Sequence, residues 1–218
     1  MRNLLIFLLV LISTTAVTAA KCIGPKDSTT VAVYLHGMDS EPPSTQELNN
    51  RSSLLAISKS LKIGFAVPRA KEKCPDGKLL CWGWNFNDSK SVEYAIATAM
   101  NAKSECFPKS TTTGLIGFSN GGFVANQIIK DCRKTEFTWL VSIGAGSALN
   151  KNDKKDLSLC GSLILMTGKK DKYNYEPIKE LGKWLKERKA NISIVEYDDG
   201  HTLPEKDLET VLKSVMPK

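Results

Sequence analysis

Histidine is scarce: the 218-residue chain has two, His36 and His201. No CxxC pair and no Cys/His cluster occurs, so neither a metal site nor a redox motif is expected. After Ile12 no apolar run approaches the roughly 20 residues of a membrane span. Internal repeats and low-complexity linkers are also missing, which leaves a single domain. The charge balance is basic, with 30 Lys and Arg against 23 Asp and Glu and a net +7. These cations are scattered along the chain, so no nucleic-acid interface is expected. Nothing in the sequence sets an oligomeric state.

What is present begins with a leader. Met1-Arg2 precedes an unbroken apolar run, Leu4 to Ile12, and then a small, mildly polar stretch ending in Thr-Ala-Ala. This is the layout of a secretory signal, with cleavage expected near Ala20. Lys21 stands where a lipoprotein signal needs a small residue. Residues 1–20 are therefore read as the signal and 21–218 as the domain, secreted or periplasmic. All six cysteines lie in the exported part. An oxidising compartment would let them pair, in any of 15 connectivities. A local Cys74–Cys81 staple is the simplest of the possible pairs.

With 42% hydrophobic and 24% charged residues, the chain has the balance of a globular domain. Apolar runs at Val31 to Leu35, Ile63 to Val67, Thr112 to Phe118, Phe137 to Ile143, Leu163 to Thr167 and Ile192 to Tyr197 predict six strands. Helical spacing predicts helices over Leu54 to Leu61, around Val92 to Ala99, and over Phe123 to Ile129, Pro177 to Lys189 and Pro204 to Val215. Continuous apolar strands alternating with helices imply an α/β three-layer sandwich with a mostly parallel sheet.

The sharpest chemical signal is Gly117-Phe118-Ser119-Asn120-Gly121, a G-x-S-x-G between an apolar strand and an amphipathic helix. Such a turn raises a serine hydroxyl above the sheet, at the positive end of the next helix. A serine needs a base at neutral pH. His201, in the loop after the last strand, is the candidate, while His36 is expected to brace the turn after the first. A carboxylate must orient the imidazole. Asp171, in the turn after Leu163 to Thr167, is preferred, with Asp199 and Asp198 as rivals. Backbone N–H groups of Asn120 and Met38 are the candidate oxyanion donors. Trp82 and Trp84 are candidates for a substrate pocket, or for the core of a stapled loop. Asn50, Asn87 and Asn191 open N-x-S sequons.

Together the His36-Gly37 turn, the G-x-S-x-G elbow, Asp171 and His201 resemble the α/β-hydrolase superfamily, in its chain order of serine, acid and histidine. The resemblance implies ester hydrolysis through an acyl-enzyme on Ser119, with no metal or organic cofactor. Cys81-Trp82-Gly83-Trp84 together with Gly117 to Gly122 is similar to secreted polyhydroxybutyrate-depolymerase and feruloyl-esterase-like enzymes. Dienelactone-hydrolase-like and small carboxylesterase relatives are equally admissible. Only about twenty residues separate Ile143 from Leu163, too few for a lid domain. The expected substrate is a small-molecule or polymer-end ester. The same triad would also serve a peptidase or thioesterase, and an inactive secreted binding module would keep the fold alone.

Overall fold

The computed structural model describes residues 20–84, 89–147, 149 and 154–217. The expected leader, apart from Ala20, and the Asn87 sequon lie outside the described residues. Among the described residues nine strands and five helices follow in order: β1 (Lys21–Ile23), β2 (Thr30–Leu35), α1 (Thr45–Leu61), β3 (Gly64–Val67), β4 (Glu72–Lys73), β5 (Leu80–Cys81) and α2 (Ser89–Cys106). Then come β6 (Thr112–Phe118), α3 (Asn120–Asp131), β7 (Trp139–Ile143), β8 (Ser162–Gly168), α4 (Tyr175–Glu187), β9 (Asn191–Tyr197) and α5 (Glu205–Val215). Seven strands form one sheet in the order β1-β3-β2-β6-β7-β8-β9, while β4 and β5 form a small antiparallel hairpin.

Successive strand residues face opposite sides of a sheet. Val31, Val33 and Leu35 of β2 enter one core, and Ala32 and Tyr34 enter the other. The split repeats at Leu115 and Ile116, at Leu140 and Val141, and at Leu165 and Met166. A strand covered on both faces is therefore mostly apolar, and the polar exceptions Thr113, Ser142 and Thr167 are themselves buried. Helices α2, α3 and α4 close one face through Ala99, Ile128 and Leu181. Helices α1 and α5 close the other through Ile57 and Leu212. Each buried leucine or isoleucine among these contributes about 1.5–3 kcal/mol relative to exposure.

The six expected strands are present and mutually parallel. The seventh, β1, is antiparallel to β3. It has three residues, too few for a periodic pattern, and a Cys22–Cys106 disulfide ties it to the end of α2. Cys132–Cys160 and Cys74–Cys81 are the other bridges. Helix α1 starts at Thr45, well before the expected Leu54, because its first half buries polar groups. The Ser44 side chain accepts the Glu47 N–H as an N-cap. Glu47 and Asn50 then meet the Tyr34 hydroxyl inside the protein. Residues 144–161 alone join β7 to β8, and among the described residues no lid covers the sheet ends. Among the described residues no helix is long and apolar enough to cross a membrane.

Candidate active site

Ser119 leaves β6 and enters α3 at φ 51° and ψ −113°, the left-handed side where a side chain strains the backbone. Hydrogen bonds fix the turn on three sides. Ser119 N–H donates to Ile143 O at 2.8 Å, Gly122 N–H to Ser119 O at 2.9 Å, and Gly121 N–H to His36 O at 3.1 Å. Residue 117 must be glycine, since a Cβ there would stand 2.2 Å from Gly121 O. Serine at a helix start ordinarily caps the backbone. Here its side chain makes no cap bond, so the hydroxyl is not consumed by the helix.

His201 and Asp171 stand at the ends of β9 and β8, where a parallel sheet presents its ligands. His201 Nδ1 lies 2.7 Å from Asp171 Oδ2, leaving Nε2 as the ring's other nitrogen. Asp171 is buried, and its second oxygen accepts the Tyr173 and Asn174 N–H groups at 3.2 and 3.1 Å. The Asn174 amide reaches both carboxylate oxygens. Burial pushes the Asp171 carboxyl up, but the hydrogen bonds from His201 and Asn174 outweigh it and hold it below the ordinary range. The rival acids are engaged elsewhere. Asp198 pairs with Lys169, and Asp199 accepts from Gly200 N–H and the Thr202 hydroxyl.

The His201 ring packs against Phe118, the residue before Ser119, with ring centroids 5.0 Å apart. Its other neighbour is Gly144, at φ 63°, where a Cβ would stand 2.9 Å from His201 Cε1 and Nδ1. Gln46, from the first turn of α1, donates to His201 O at 2.8 Å. Ser119 and His201 are thus brought to the same rim, although their side chains are not hydrogen-bonded to each other.

Across from them lies the turn after β2. Met38 is half exposed there, and it lines a cleft of about 250 Å³ with Trp84, Ser119, Asn120 and Phe123. His36 is wholly buried. One ring nitrogen faces Gly37 O, and the other accepts the Ala70 N–H at 3.0 Å. Burial pushes its pKa down from 6.5 to about 4, so the ring is neutral at pH 7. The two tryptophans separate. Trp84 is exposed and reaches the cleft, whereas Trp82 is fully buried, its indole N–H donating to His36 O at 2.9 Å. The expectation that Trp82 also lines the pocket is therefore corrected. Two residues along a loop need not face the same way, and Trp82 turns into the core.

Sequence reasoning missed the side-chain roles of Asn174, Gln46 and Asn120. Asn174 follows Asp171 by three residues, a spacing at which a short polar side chain bonds back to its neighbour. The Ser44-x-x-Glu47 capping pattern would have extended α1 to Gln46. No local pattern announces the Asn120 side chain, whose partners are 37 and 38 residues away. Among the described residues, no group of three or more His, Cys, Asp or Glu side chains is placed to hold a metal ion.

Residues 39–211 match the family described as FSH1, serine hydrolase. No curated protein matches the sequence. Solved structures with the same fold include a carboxylesterase from Mesorhizobium loti, with a TM-score of 0.67 at 16% identity, covering 89% of this chain and 93% of that one. A Bacillus cereus carboxylesterase gives 0.65 at 18% identity, covering 90% and 92%. Zea mays acyl-protein thioesterase 2 gives 0.63 at 17%, covering 89% and 97%.

Proposed function

The chain belongs to the FSH1 serine hydrolase family, and from that premise we propose that it cleaves carboxylic esters through an acyl-enzyme on Ser119. The observation that carries this reading is the strained Ser119 on the same rim as the bonded His201–Asp171 pair. His201 Nε2 takes the Ser119 proton as the hydroxyl attacks the carbonyl. Asp171 holds Nδ1–H and stabilises the imidazolium that forms. The Asn120 and Met38 N–H groups receive the oxyanion, each such donor being worth about 2.7–4 kcal/mol of barrier. His201 then protonates the leaving alcohol, and water reverses the sequence. A hydrogen bond between Ser119 and His201 Nε2 forms when substrate is bound.

A fluorophosphonate should label Ser119 stoichiometrically. Ser119→Ala should lose both labelling and at least roughly 10³-fold in turnover of p-nitrophenyl butyrate. Undiminished hydrolysis by that variant would sink the proposal. A thioester carbonyl would meet the same groups, and the thioesterase among the fold neighbours favours testing one. Faster turnover of a thioester than of its oxygen ester would make thioesters the better substrate. We extend the reading to export, with residues 1–20 removed. The three disulfides support it, since such bonds persist in oxidising compartments. N-terminal sequencing of the mature protein checks the cleavage point.

A further inference from the structure

The hairpin of β4 and β5 carries its own order. Cys74–Cys81 closes it, Cys74 N–H donates to Leu79 O at 2.8 Å, and Asp76 Oδ1 accepts the Lys78 and Leu79 N–H groups. It joins the body through its backbone and through Trp82, whose indole N–H donates to His36 O. Leu80 and Asp39 exchange backbone hydrogen bonds at 2.7 and 3.2 Å, beside Met38. Farther along, the Asn120 carboxamide grips the chain from both sides. Its Oδ1 accepts the Trp82 N–H at 2.8 Å, and its Nδ2 donates to Gly83 O at 3.1 Å. Asn120 is buried, so both bonds are shielded from water. Trp84, the next residue, is the exposed indole that lines the cleft beside Ser119.

We propose that the Asn120 side chain is a specificity-determining positioning residue, holding the hairpin so that Trp84 forms the wall for the acyl chain. The inference rests on the esterase reading. It gives the residue after the nucleophile two separate duties. Its backbone N–H serves the oxyanion, while its side chain acts through Trp84 on which acyl groups fit. The cleft is apolar along Met38, Trp84 and Phe123, so the favoured acyl group is a short uncharged alkyl chain.

The experiment compares p-nitrophenyl butyrate with p-nitrophenyl acetate and reads the ratio of their kcat/KM values. Asn120→Asp keeps an acceptor for Trp82 N–H but sets an oxygen against Gly83 O. The ratio is expected to fall up to roughly tenfold, the worth of two methylenes losing their wall. Trp84→Ala should lower it similarly, and the double variant no further, because the two act as one unit. The pair Cys74→Ser/Cys81→Ser loosens the hairpin without touching the elbow and should give the same fall if the Asn120 variant does not fold. Hydrogen exchange supplies a reading independent of turnover, with the Trp82 amide exchanging at least roughly tenfold faster in Asn120→Ala, which removes its acceptor. Equal losses on both esters, additive effects with Trp84→Ala, or unchanged exchange would overturn the inference while leaving the esterase reading intact. A wild-type protein inert to every ester would overturn the esterase reading and this inference with it.

Discussion

One side of the candidate site stands on long strands and the other hangs from a short loop. Asp171 and His201 sit at the ends of β8 and β9, each seven residues and paired along their full length. Trp84 follows a hairpin whose strands are two residues each, closed by a disulfide and held by side-chain amides. The first side is fixed by the backbone ladder that also makes the core. The second is fixed by a handful of bonds, each worth only about 0.5–1.5 kcal/mol net. Chemistry that must be placed to a fraction of an ångström belongs on the stiff side. The acyl selection proposed for Trp84 tolerates the softer one.

The largest expected effect tests the stiff side. Asp171→Asn keeps the shape but loses the acceptor that fixes the His201 tautomer, and kcat should drop by about 10⁴-fold. Steady-state kinetics on a p-nitrophenyl ester decide it. A loss below tenfold would assign the orienting role elsewhere and dissolve the contrast.

The next effect falls on the soft side and depends on pH. The His36 ring packs against Trp82 with centroids 5.1 Å apart and accepts the Ala70 N–H before the hairpin, and burial takes its pKa from 6.5 to about 4. Between those values the unfolded chain binds a proton that the native state refuses. Its contribution is whole above pH 6.5, is lost as the pH falls towards 4, and then levels off. The full span is about 3 kcal/mol. Urea midpoints from pH 7 to 4 should fall less steeply in His36→Gln than in wild type. Equal slopes would remove His36 as the acid-sensitive brace.

The smallest effect sharpens the stiff side again. Gly144→Ala pushes a methyl group against the imidazole and should lower kcat roughly 10²-fold through misplacement alone. Far-ultraviolet circular dichroism should be unchanged. Wild-type turnover would show that the ring has room to shift.

How much of this was legible follows the same divide. Thr112 to Phe118 carries no polar side chain after Thr113 because both faces are covered, and the glycines around Ser119 mark the turn that follows. The sequence pattern therefore points to the elbow directly. The order of Asp171 and His201 along the chain is likewise visible, because each sits just past an apolar strand. The Cys74–Cys81 pair was readable from proximity, whereas Cys22–Cys106 joins residues 84 apart. The front of α1 was hidden because Glu47 and Asn50 are buried polar groups, which mimic a surface in any hydropathy reading. Trp82 and Trp84 could not be told apart, since a loop has no fixed period. The Asn120 clamp is a tertiary bond with no local trace.

The short link between β7 and β8 has one kinetic consequence. With none of the described residues folded over Ser119, the proposed esterase is expected to need no opening event before substrate entry and no oil–water boundary to provoke one. Initial velocities on a sparingly soluble ester should rise smoothly and saturate through the critical micelle concentration, without the upward break that a hinged cover produces.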